Sequence, residues 1–230
     1  MMPSTSTSIV ANEPAQPLMI DVVSDVVCPW CYIGKRKLEA ALTELRRGEA
    51  GLETKVRWHP FQLNPDLPAK GIARSEYLAA KFGSGSRAAD IYARVRAAGA
   101  EVGISFAFER IALQPNTLDA HRLIAWAQQR GDAEALVERL FRRYFTEGGF
   151  VGDREELVGA ASSAGLPEDE ARALLVSDAL TAEVEAEDRE AREAGITGVP
   201  CFIFNGRTAV VGAHDPPALL QAIAAARQSQ

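Results

Sequence analysis

The segment Cys28–Pro29–Trp30–Cys31 constrains this chain most, because it stands where a β-branched apolar run gives way to a helical pattern. Leu18 to Val23 reads as a buried strand. Ser24 and Asp25 form a short polar step into Val26, Val27 and Cys28. After Pro29, Leu38, Ala41, Leu42 and Leu45 recur at i, i+3, i+4 and i+7, the stripe of an amphipathic helix that Gly48 can end. Thr54 to Phe61 reads as a second strand, with Val56 and Trp58 alternating against Lys55 and Arg57. The order is β-α-β, with both cysteines at the first strand–helix junction. At a helix start, unpaired N–H groups and the positive end of the macrodipole stabilise an anion. The thiolate is the form that attacks a disulfide. Cys28 is therefore expected to be the exposed nucleophile, and Cys31, in the same first turn, the resolving thiol. Pro29 suits the first helical position, where no N–H is needed. Trp30 is expected to shield the sulfurs and offer a substrate an apolar contact.

Two plainer readings compete. The pair is half of a zinc site, but no second Cys pair or close His pair completes one, so no metal is expected. The other reading is two inert buried cysteines; the strand-to-helix setting favours redox work instead.

Composition narrows the rest. With only three cysteines, the chain is no disulfide-stapled secreted scaffold. Net charge is −6, with acidic and basic residues mixed and no Lys/Arg block, which disfavours nucleic acid or an anionic membrane as partner. No apolar run approaches the ~20 residues of a membrane span. Residues 1–17 are polar, proline-containing and without the pattern of a secretory signal, so a disordered tail and a cytoplasmic location are expected.

The middle of the chain is expected to be almost all helix, with patterns at Ser75–Phe82 and Arg87–Ala98. Asn116 and Thr117 offer an N-cap to a helix through Ala120, Leu123, Ile124 and Ala127. Asp132 can cap the next, which carries Leu136, Val137, Leu140, Phe141 and Tyr144 on one face. Asp153 and Glu156 have capping-box spacing. Further helices start near Pro167 and span Thr181–Ala194. Strand character returns at Phe202–Phe204, and Asn205-Gly206 marks a hairpin into Thr208–Val211. Asp215 and Pro216 open a closing helix. Without its helical middle the order is β-α-β then α-β-β-α, that of a thioredoxin fold. The expected architecture is an α/β thioredoxin-fold domain from residues 18–63 and 179–230, split by an all-helical insertion over 64–178.

Four segments carry a more specific likeness. SDVVCPWCYIGKRKLE, WHPFQLNPDLP, NTLDAHRLI and GITGVPCFIFNGRTAVVGAHDP, in that order, resemble the FrnE-like branch of the DsbA family of thiol-disulfide oxidoreductases. The resemblance implies a redox centre at Cys28 and Cys31, with Pro200 in cis against it and the Val199 backbone open to an extended substrate, by strand addition. It implies exchange with protein or small-molecule disulfides and no cofactor beyond the Cys28–Cys31 disulfide, with glutathione a candidate reductant. The superfamily also holds kappa-class glutathione transferases and 2-hydroxychromene-2-carboxylate isomerase, whose sites are of a Ser type with bound glutathione; the intact CPWC argues against them. A redox-switched binding or chaperone module is the non-enzymatic alternative.

One position departs from thioredoxin, which has a buried acid six residues before its first cysteine; here that residue is Val22. Asp21 should face the other side of the strand, and Asp25 reads as the start of a loop, so proton transfer to Cys31 is left to water or another group. His121 and Asn116 are candidates to line a substrate groove over the cysteines, and Phe61, Asn64 and Pro65 to form its rim. His59 and His214 read as ordinary strand-end and turn residues, and Cys201 as a buried small hydrophobe.

Overall fold

The computed structural model describes residues 16–83 and 85–228; most of the tail expected over 1–17 therefore lies outside the described residues. The chain opens with β1 (Leu18–Ser24), α1 (Pro29–Gly48) and β2 (Thr54–Pro60). β1 and β2 pair in parallel, with Leu18 opposite Thr54 and Ser24 opposite Pro60. Parallel neighbours need a crossover, and α1 supplies it. The chain closes with α8 (Thr181–Glu193), β5 (Cys201–Phe204), β6 (Thr208–Val211) and α9 (Pro216–Gln228). β5 runs antiparallel to β1, placing Cys201 opposite Val23. β6 runs antiparallel to β5. The sheet order is β2-β1-β5-β6, the thioredoxin arrangement. Asn205 and Gly206 turn the last hairpin at φ 50° and 64°, the positive pair that matches strand twist. The Asn205 carboxamide also accepts the Met19 amide at 3.0 Å, tying the turn to β1.

Alternation along β1 divides the core. Ile20 and Val22 join Leu38, Leu42, Phe202 and Leu219 on one face, while Val23 packs with Phe61 and Cys201 on the other. Between β2 and α8 the chain forms α2 (Arg74–Phe82), α3 (Gly85–Glu101), α4 (Leu118–Gln128), α5 (Glu134–Phe145), α6 (Arg154–Ser163) and α7 (Glu168–Val176). It also forms a two-residue ladder, β3 (Ile72–Ala73) against β4 (Leu113–Gln114), which the helical reading of this stretch does not contain. Its strands are too short to show alternation in sequence. Asp153 caps α6 by accepting from the Glu155 and Glu156 amides at 2.9 and 3.1 Å. The other half of the expected capping box is missing, because the Glu156 carboxylate pairs with the Arg143 guanidinium instead.

The inserted helices share the core of the sheet unit. Tyr32 of α1 stacks on Phe141 of α5 with ring centroids 5.0 Å apart. Buried residues from both segments form one continuous cluster. The outer edge of β2 is closed by a side chain: Gln128 accepts from the Trp58 amide at 2.6 Å and donates to the Trp58 carbonyl at 2.9 Å. An open strand edge is a template for wrong pairing, and this one is occupied.

Candidate active site

The site is built at the start of α1. Cys28 is its N-cap residue, extended at φ −94° and ψ 111°, and Pro29 takes the first helical position. The Cys28 carbonyl accepts from the Cys31 and Tyr32 amides at 3.0 and 3.3 Å, which closes the turn and sets both side chains on one side. Pro200 forms a cis peptide bond with Val199. The Cys28 thiol donates to the Val199 carbonyl at 3.7 Å, so this loop lies directly over the first sulfur. Gly34, three residues beyond Cys31, lets the helix approach: a Cβ there would lie 2.9 Å from Pro200 Cγ and 3.0 Å from Phe202 Cζ.

The thiols are less open than the sequence suggests. Cys28 is buried, at 5% exposure, under the Val199–Pro200 loop, and Cys31 is deeper still at 1%. Trp30 is the exposed member of the motif. Burial pushes the Cys31 thiol well above the ordinary range, and the hydrogen bond and charge of Cys28 push it further. Contacts from the Ser24 hydroxyl and the Asp25 main chain act against that rise.

Other candidates are placed differently. His121 does not line an open groove: it is buried, and its Nε2 lies 3.4 Å from Asp25 Oδ1. α4 turns this residue inward with Ala120 and Ile124. Asn116 clamps a loop, donating to the Pro65 and Leu67 carbonyls at 2.9 Å and accepting from the Leu118 amide. Phe61 is drawn to the opposite face of the sheet, with Val23 and Cys201, so it forms no rim to the cysteine pair. Cys201 thus points away from Cys28 and Cys31 although it follows Pro200, and burial raises its pKa. Asp21 also faces that side: burial opposes its charge, but hydrogen bonds from His59 and Arg57 win and lower its pKa.

Polar groups that the sequence reading takes for a loop start (Asp25) or a helix face (Tyr144), or does not single out (Arg74), stand behind the thiols. Asp25 is fully buried, and its Oδ2 accepts the Leu63 amide at 2.8 Å. Beyond it Arg74, also buried, donates to Gln114 and to the Tyr92 hydroxyl, while Tyr144 donates to Gln114 at 3.1 Å. The only sign of Asp25 in the sequence was a carboxylate placed between an apolar strand and the cysteines. Arg74 and Tyr144 lie on helices distant in sequence, and nothing there marks their polar contacts, Tyr144 reading only as part of an apolar helix face.

Known proteins share this fold. A probable DsbA oxidoreductase from Streptomyces coelicolor superposes with a TM-score of 0.83 at 32% identity, over 93% of this chain and 91% of that one. The structure of 2-hydroxychromene-2-carboxylate isomerase matches at 0.64 with 16% identity, over 92% of this chain and 96% of that one, a likeness of fold alone. Among curated proteins, the uncharacterised protein YwbO of Bacillus subtilis is 26% identical over 199 residues, 84% of this chain and 90% of its own length. The model of the DSBA-like thioredoxin domain matches residues 19–224. The family model covers nearly the whole of the described fold, both the sheet unit and the helices between β2 and α8, and the chain belongs to the DSBA-like thioredoxin domain family.

Proposed function

We propose that this protein is a thiol-disulfide oxidoreductase in which Cys28 attacks a substrate disulfide and Cys31 resolves the mixed disulfide. The observation that carries the reading is the Cys28 thiol at the open end of α1 beneath the Val199 carbonyl. That carbonyl belongs to a backbone segment that an extended substrate can pair with beside the sulfur. Exposed Trp30 supplies an apolar contact at the same edge. Cys31 follows in the same turn, within reach for closure to a disulfide.

Substrates on this reading are protein or small-molecule disulfides. The setting is cytoplasmic, where glutathione holds thiols reduced and the direction favoured is reduction or isomerisation. Glutathione serves as the reductant of the Cys28–Cys31 disulfide. The FrnE-like resemblance belongs to this same reading.

The test is trapping. Cys31→Ser should accumulate mixed disulfides at Cys28 in a lysate, because no internal thiol releases them, and Cys28→Ser should accumulate none. Equal trapping by both variants would remove the assignment of roles. Turnover that survives Cys28→Ser and depends on glutathione would instead indicate an isomerase or transferase chemistry on this fold.

A further inference from the structure

Resolving a mixed disulfide requires Cys31 to lose a proton, and Cys31 is buried at 1% exposure. Bulk water does not reach it freely. The groups at its sulfur are Cys28, the Ser24 hydroxyl and the Asp25 main chain. Asp25 Oδ1 and His121 Nε2 are both buried, neither has a hydrogen-bond partner, and they lie 3.4 Å apart. Buried polar atoms left unpaired are disfavoured, so two of them facing each other call for a role. Ser24 and His121 also line one narrow cavity, walled by Val26, Trp58, Ile124 and Phe141. Ser24, whose hydroxyl meets the Cys31 sulfur, therefore shares one space with His121.

We propose that Asp25 and His121 form a buried proton-accepting pair that serves Cys31 through Ser24 and this cavity. The inference rests on the exchange chemistry proposed above. In the step concerned, the Cys31 S–H proton passes to the pair while the Cys31 sulfur attacks the Cys28 sulfur. The Cys28–Cys31 bond forms, and the bond from Cys28 to the substrate sulfur breaks. Its electron pair leaves on the substrate thiolate, which then takes up the proton. The two cysteines are oxidised by two electrons and the substrate disulfide is reduced by two, so no further oxidant or reductant enters. In reverse the pair returns the proton to Cys31.

Several titratable or charged groups lie on the elements packed around the pair. Cys28 caps α1, while the His59 imidazole of β2 turns to the other face of the sheet, onto Asp21 and Glu187. Tyr144 of α5 senses the Asp25 charge, and Tyr92 of α3 senses Cys28. Arg74 of α2 is hydrogen-bonded to both tyrosines. Asp25 and His121 each hold an unpartnered buried atom, Asp25 with its main chain at the Cys31 sulfur and His121 in the cavity that Ser24 lines.

Stopped-flow mixing of the reduced protein with dithiobis-nitrobenzoate separates the two chemical steps. One coloured thiolate is released when Cys28 attacks and a second when Cys31 resolves. Asp25→Asn and His121→Gln should leave the first release within about twofold of wild type. They should slow the second about 100-fold at neutral pH, the scale of a lost general base, with the rate climbing again as hydroxide replaces it. Asparagine still accepts the Leu63 amide; if that variant does not fold, His121→Gln decides alone. A second phase with unchanged rate and pH profile would overturn the pair, as would equal slowing of both phases. A wild-type protein lacking a first phase dependent on Cys28 would instead sink the exchange reading itself.

Discussion

Gly34 shows how much a single residue contributes to the site. Its backbone is ordinary helix, so conformational freedom is not its purpose. What matters is the space a side chain would fill: Pro200 and Phe202 stand at 2.9 and 3.0 Å from the nearest Cβ position. Contacts that close force either the loop or the helix to move. Gly34→Ala should cost about 1–3 kcal/mol in a denaturant titration. It should also slow disulfide exchange by about tenfold or more, since a shift near 1 Å at a reacting centre is costly. Wild-type exchange kinetics in this variant would show that the Pro200 loop does not set the geometry at Cys28. In the sequence Gly34 is one glycine among 18, with nothing to mark it.

At the scale of elements, α1 and α5 are joined by a buried charge cluster. Lys35 is 3% exposed and meets Glu134 and Glu138 at 3.4 and 3.3 Å, with Glu39 closer. Burial opposes its charge, but the surrounding carboxylates hold its pKa above the ordinary lysine value. Glu134 also accepts from the Trp58 indole at 2.6 Å, so the cluster reaches β2. Removing Lys35 leaves Glu134 without its cation, while Arg36 still meets Glu39 and Glu138. Because those carboxylates keep part of their solvent, Lys35→Met should destabilise the protein by about 1–3 kcal/mol at neutral pH. The loss should shrink in acid, where the carboxylates are neutral. Chemical denaturation of both proteins at neutral and acidic pH measures this, and a variant as stable as wild type would reduce the cluster to a solvated surface group. Helical periodicity found α1 and α5 but could not show that Lys35, beside an apolar stripe, turns inward.

For the whole molecule, His59 ties three elements: β2 through its own strand, β1 through Asp21 at 2.9 Å and α8 through Glu187 at 3.4 Å. Hydrogen bonds donated to Asp21 first and Glu187 next push its pKa up to about 9 from 6.5, against the pull of burial. A folded-state pKa above the unfolded one means the protonated form stabilises the fold. That stability is complete below about pH 6.5 and is lost as pH rises through about 9. The side chain is 34% exposed, and solvent screening holds the effect to about 1 kcal/mol. Urea midpoints of wild type and His59→Gln should therefore converge between pH 7 and 10. A gap that stays constant with pH would assign His59 a packing role only.

The thioredoxin order and the helical insertion were legible in the sequence because they rest on local pattern. Period-2 and period-3.6 runs, the Asn205-Gly206 turn and a cysteine pair at a strand–helix junction are each written within a few residues. The identity of the two thiols was legible for the same reason. Which polar residues stand behind them was not. Asp25 meets His121 and Arg74 meets Tyr144 across 96 and 70 positions of chain, and only packing brings such residues together. Burial likewise changed the apparent roles of His121, Asn116 and Phe61, because the face a residue presents depends on the neighbour that covers it. The sequence by itself determined the fold class and the place of the cysteine pair at the first strand–helix junction, through spacing and hydrophobic period. Only the tertiary structure decided the burial of those thiols and their polar surroundings, because desolvation and pairing are properties of contacts between distant segments.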